Sequence, residues 1–189
     1  MSDIIFENAA AAQTSELFEY CLFRSIADTV PLPQKSTIPQ FVERFSRPAN
    51  LTAKGGPAWS PAIYQRGVNR SKSGVVAVTA LVMDVDDGTP IEEFHRRLEG
   101  YAYFWHTSYS HTPEHPKYRI VVFLAAAVPA AQWAEHWLRA QAWMEGHLDP
   151  STKDASRIYY LPSRPPGAQG HSHGFVQGVL LDMNTLPPL

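Results

Sequence analysis

The sequence predicts an α+β fold, a mostly antiparallel sheet packed by helices in a β-α-β-β-α-β order that fits a split βαβ sandwich. Three observations carry this. Gly74 to Val85 (Gly-Val-Val-Ala-Val-Thr-Ala-Leu-Val-Met-Asp-Val) is a β-branched run long enough for a buried strand or a bent pair of strands. Ala102–Ser108 and Tyr118–Leu124 are two more strand-like segments around a polar loop. Residues 130–148 place Trp133, Trp137, Met144 and Leu148 near four-residue spacing, the stripe of a helix facing a core.

The remaining elements follow in order. Residues 14–29 show helical spacing, with Thr14 or Ser15 as the N-cap. Residues 30–62 carry Pro31, Pro33, Pro39, Pro48, Pro57 and Pro61, so they read as a turn-rich connector with one short helical piece at Pro39–Phe45. Asp87-Gly88 closes the long strand, and Pro90–Leu98 reads as a helix whose acids Glu92 and Glu93 suit its N-terminus. A short strand is expected at Arg157–Leu161, then a Pro/Gly loop, then a last strand at Gly174–Leu181.

Composition bounds the function classes. The chain has 189 residues, 44% of them apolar and 18% charged, enough to bury a core. A net charge of -2 argues against a surface coated in positive charge, yet leaves room for a local basic strip. Lys54, Arg66, Arg70 and Lys72 form such a strip with no acid between them, and Arg66, Arg70 and Lys72 are the expected contacts to a nucleic-acid backbone. The single cysteine, Cys21, excludes an internal disulfide framework and a multi-cysteine zinc site, and it reads as a buried thiol. No basic leader with an apolar run is seen and no segment is long enough to span a bilayer, so a cytosolic protein is expected.

The chemistry concentrates in three places. In Leu81-Val82-Met83-Asp84-Val85-Asp86-Asp87 the alternation of a strand turns Asp84 and Asp86 to one face. Two carboxylates so close repel each other, and a hard divalent cation such as Mg²⁺ or Mn²⁺ removes that cost. Solvated acids in a strand-end turn are the plain alternative. Thr107-Ser108-Tyr109-Ser110-His111, with Lys117-Tyr118-Arg119 opening the next strand, offers hydroxyls, an imidazole and a guanidinium suited to a triphosphate. Leu148-Asp149 precedes Asp154, Arg157 and Pro162, which alone reads as a helix-ending turn.

In this order and spacing the three motifs resemble the archaeo-eukaryotic primase superfamily, most closely its plasmid- and phage-type primase-polymerases. The resemblance covers roughly residues 56–181 and includes Trp59-Ser60-Pro61-Ala62 and Arg70. It implies an RRM-like core over 56–189, with residues 1–55 as an N-terminal extension packed on it. It further implies DNA primase or polymerase activity in plasmid or phage replication, using a (d)NTP, a single-stranded DNA template and a primer, alongside a replicative helicase. Asp84, Asp86 and Asp149 are then the catalytic ligands of two divalent ions about 3.5–4 Å apart. Ser108, Ser110, His111, Arg119 and Arg157 are the nucleotide contacts. The second motif departs from the family pattern: Arg119 stands where the family's His opens the strand, and His111 is the other occupant of that role.

A rolling-circle nuclease is a rival on a similar scaffold, but it needs a His-hydrophobic-His pair and a nucleophilic Tyr on a helix. His171-Ser172-His173 has a polar middle residue, and Tyr159-Tyr160 falls on an expected strand. A non-catalytic nucleic-acid-binding module is the second rival, with Tyr101–Trp105 as its base-stacking strand or, equally, as sheet core.

Overall fold

A computed structural model describes residues 17–189. Eleven strands form among these residues: β1 (Leu17–Phe23), β2 (Leu32–Thr37), β3 (Ala49–Asn50), β4 (Ala58–Ser60), β5 (Ala62–Tyr64), β6 (Val75–Val85), β7 (Tyr103–Thr107), β8 (Tyr118–Pro129), β9 (Tyr159–Tyr160), β10 (Ser163–Arg164) and β11 (His173–Val176). The helices are α1 (Ile38–Phe45), α2 (Ile91–Arg97) and α3 (Ala130–Trp143). The main sheet is antiparallel in the order β11-β7-β8-β6-β5, and a second runs β2-β1-β4-β9. The α+β prediction holds.

β6 and β8 are the spine, buried on both faces. Leu81, Met83 and Val85 of β6 share a cluster with Ile120 and Val122 of β8, Phe94 and Leu98 from the α2 region, and Trp133 and Trp137 of α3. The opposite faces carry Ala80, Val82, Val121 and Phe123, which meet Phe18, Tyr20 and Trp59 of the second sheet and Ile38, Phe41 and Phe45 of α1. Phe41 packs its ring against Phe18, Tyr20, Phe104 and Phe123. Period-two alternation then fixes where the polar ends go: Asp84 continues the Ala80/Val82 face and Arg119 the Val121/Phe123 face, both toward the layer between the two sheets. That layer opens into the candidate site.

Four expectations need correction. Leu17–Phe23 is a strand rather than part of a helix, while residues 14–16 with the expected caps Thr14 and Ser15 lie outside the described residues. The strand puts Phe18 and Tyr20 in one cluster and Cys21 and Phe23 in the other. Apolar residues on both faces of a strand imitate helical periodicity. The 30–62 connector also contains β2, an edge strand that tolerates Pro33 because an edge residue can face its N–H away from the ladder. α3 stops at Trp143, ended by the left-handed residues Glu145 (φ 52) and Gly146 (φ 88) rather than continuing to 148. The last strand spans only His173–Val176, followed by isolated bridges from Val179 to Tyr101 and Leu181 to Leu124.

Other details agree. Thr37 accepts from the Gln40 backbone while Gln40 returns a bond to Thr37, a capping box that starts α1. Tyr103 and Phe104 are buried, so the aromatic strand is sheet core. Burial pushes the Cys21 thiol up to about 11 and leaves it inert. No helix among the described residues is long and apolar enough to cross a membrane.

Candidate nucleotidyl-transfer cleft

A cleft of about 450 Å³ lies at the polar end of the inter-sheet layer. Asp84, Asp86 and Asp149 line it together with Ser108, Arg119 and Arg157. Residues from four separate stretches of chain thus meet at one place, although most are far apart in sequence. From the basic strip, Arg70 and Lys54 also reach the cleft.

Asp84 is held firmly. Arg119 Nε donates to its Oδ1 at 2.6 Å, and Arg119 Nη1 donates to the Tyr160 carbonyl at 2.9 Å. The guanidinium also lies 4.7 Å over the Tyr159 ring. A Lys here would have one compact charge and no planar fork to serve both acceptors. Asp86 is exposed at the strand end, where His115 Nε2 donates to its backbone carbonyl at 2.9 Å and ties down the 108–117 loop. The turn beyond uses Gly88 at φ +85, and a side chain there would press on the His115 ring.

Asp149 starts a 3-10 turn (Pro150–Lys153): its two carboxylate oxygens accept from Ser151 N at 2.8 Å and Ser151 Oγ at 2.7 Å. Among the described residues, no three His, Cys, Asp or Glu side chains are gathered into a closed cation cage. The three acids share cleft walls without meeting as a cluster. Their chemistry nonetheless fits a hard divalent ion: all are carboxylates, and Asp84 already holds one cationic group, the Arg119 guanidinium.

Not every expected contact reaches the cleft. Ser110 is exposed and lies outside the cleft lining, as does His111, whose Nδ1 accepts from Lys117 N and whose ring packs 5.3 Å from that of His171. Of the two candidates for the second-motif role, Arg119 is therefore the one inside. Arg66 is exposed on a turn outside the cleft, and Lys72 stands outside it too, 3.6 Å from Asp154. Arg70 Nε is buried without a hydrogen-bond partner among the described residues, as an arginine awaiting an anion would be.

His106 was not among the expected residues. It lines the cleft from β7, paired in register with Arg119. Burial, with the Arg119 charge beside it, pushes its imidazole down to about 3, so the ring is neutral. Its Nδ1 donates to the Thr107 carbonyl at 2.9 Å, which makes Nε2 a bare acceptor. A lone His inside an aromatic strand carries no motif, and only strand register reveals its neighbours.

The rolling-circle alternative loses its nucleophile here. Tyr159 and Tyr160 sit on β9, and burial raises the Tyr159 phenol, which stays protonated beneath Arg119.

Comparison with solved structures supplies the fold relationship. The chain is similar to the AEP domain of the cyanophage S-2L primase-polymerase, with a TM-score of 0.53 and 12% sequence identity over 96% of this chain and 98% of that one. The fold is of the archaeo-eukaryotic primase type. No family model matches the sequence, and no curated protein matches it. At this identity the likeness concerns backbone architecture alone.

Proposed function

We propose that this chain is a primase-polymerase, a metal-dependent nucleotidyltransferase that joins a (d)NTP to a 3′-hydroxyl on a single-stranded DNA template. The observation that carries the reading is the convergence of Asp84, Asp86, Asp149, Arg119 and Arg157 on one cleft. The primase-type fold supports it.

Asp84, Asp86 and Asp149 are the residues to hold Mg²⁺ or Mn²⁺. A divalent ion held there would supply positive charge against the triphosphate and would lower the cost of deprotonating the attacking hydroxyl. Arg119 holds Asp84 aimed at the cleft, and its planar guanidinium suits a phosphate oxygen. Arg157, exposed at the cleft wall, adds a second guanidinium for the triphosphate, and Ser108 adds a hydroxyl donor. Arg70 and Lys54 serve the template backbone, so binding weakens steeply with salt. Tyr159, pinned under Arg119, shields that side of the cleft from water.

The test supplies labelled nucleotide and a single-stranded template with Mg²⁺ or Mn²⁺, with and without a primer. Elongated product in the primed arm is expected, and product in the unprimed arm adds primer synthesis. No incorporation in either arm, by folded protein with either cation, would overturn the reading.

A further inference from the structure

A second cavity of about 400 Å³ lies beside the cleft, across the chain segment 161–164. Extended chain alternates its side chains, and here Leu161 and Ser163 line the cleft while Pro162 and Arg164 line the second cavity. His106 borders both.

The second cavity is rich in imidazole, with His171 and His173 joining His106. His106 Nε2 and His171 Nε2 are buried, and neither has a hydrogen-bond partner among the described residues. His106 is 4% exposed. Leaving such an acceptor unpaired is costly, and native interiors rarely tolerate it without a ligand or ordered water.

The chemistry of that atom selects its partner. With Nδ1 committed as donor to the Thr107 carbonyl, Nε2 of the neutral ring accepts only, so the ligand must offer an N–H or O–H. A phosphate oxygen is an acceptor and does not answer it. A metal is a poor fit, because no three of the candidate ligands are gathered together among the described residues. Imidazole faces, Phe45 and Pro48 suit a flat ring, and Arg164 supplies a cation for an attached anionic group. A nucleotide has both parts, a flat donor-bearing ring and an anionic group.

The position fits the same ligand. Asp84 pairs in register with Arg119, Arg119 with His106, and His106 with His173, one row across β6, β8, β7 and β11. At strand spacings near 4.8 Å the row is about 14 Å long. It runs from the proposed cation ligands, past the phosphate-binding arginine, into the second cavity.

We propose that this second cavity binds a nucleobase, with His106 Nε2 accepting a base N–H. The ligand's identity rests on the nucleotide-handling reading above, and its source is either a free nucleotide or a strand. The test uses the full chain with ¹⁵N-labelled histidine in a chelating buffer. Metal-dependent transfer is silent there, so a failed incorporation assay and a failed titration are separate results.

The titrants are AMP, a short oligo(dA), and ribose 5-phosphate, which lacks the base. The His106 Nε2 resonance is expected to move with AMP or the oligonucleotide and stay fixed with ribose 5-phosphate. The more tightly bound of the two identifies the source. His106→Phe is expected to weaken that binding at least tenfold, His106→Gln, which keeps an acceptor, to weaken it less, and Arg164→Ala to weaken it several-fold. If His106→Phe does not fold, the wild-type titration and Arg164→Ala decide. A resonance unmoved by either base-bearing titrant, ribose 5-phosphate moving it as much as AMP, or folded His106→Phe binding unchanged would each overturn the proposal.

Discussion

Arg119 Nε stands 2.6 Å from Asp84 Oδ1, joining β8 to the acid-bearing end of β6. The two are paired in register on adjacent strands, so the contact follows from the β6–β8 pairing itself.

Removing Arg119 should destabilise the fold. Its side chain is 11% exposed and that of Asp84 16%, so the pair is largely but not wholly desolvated. Arg119→Ala is expected to lower unfolding free energy by about 2 kcal/mol, below the roughly 3–5 kcal/mol of a fully buried pair. Urea denaturation checks this. A double-mutant cycle with Asp84→Asn should return a coupling near the same size.

Phe41 tests whether the segment containing α1 belongs to the structural core. It is fully buried among six other aromatic rings, those of Phe18, Tyr20, Phe45, Trp59, Phe104 and Phe123. Phe41→Ala is expected to cost about 3–5 kcal/mol and to shift one cooperative unfolding transition rather than loosen a separate one. Thermal unfolding followed by circular dichroism reports both.

His106 makes stability fall with acid. Its pKa is about 3 folded against 6.5 in the reference state, so between those values the unfolded chain binds a proton that the folded chain does not. Stability then rises with pH in that window by about 1.4 kcal/mol per unit, and the contribution is flat above it. From pH 6.0 to 4.5, wild type should lose about 2 kcal/mol more than His106→Gln, measured by chemical denaturation at both pH values.

Cation binding can be tested apart from nucleotide incorporation. Mn²⁺ titration followed by electron paramagnetic resonance should show binding by wild type and at least tenfold weaker binding by Asp84→Asn/Asp86→Asn. Asp149→Asn is expected to weaken it less, because Ser151 holds that carboxylate in a turn that the cation must share. Equal Mn²⁺ affinity in all three proteins would remove Asp84, Asp86 and Asp149 as ligands.

Much of this architecture was legible in the chain. β6 announced itself because buried β-branched runs have few other uses, and Asp84-Val85-Asp86 at its end showed which face would carry acid. Asp149 and Arg157 were legible only through the family resemblance, since locally they look like a turn, and Asp149 does cap one. Leu17–Phe23 imitates a helix in sequence because a strand sandwiched between two clusters loses its alternation. Ser110 and His111 are expected as nucleotide contacts from their hydroxyl and imidazole chemistry and from the resemblance, whereas they lie outside the cleft lining and the loop turns His111 toward His171. His106 escaped notice altogether: its meaning lies in cross-strand pairing with Arg119 and His173, which depends on register between distant segments.

Nucleotide incorporation by paired proteins tests the account most directly. Wild type and Asp84→Ala/Asp86→Ala, both verified as folded, are given a primed single-stranded DNA template, labelled nucleotide and Mn²⁺. The account predicts elongated product from wild type and none above background from the double variant. Product from the double variant at the wild-type rate would contradict it.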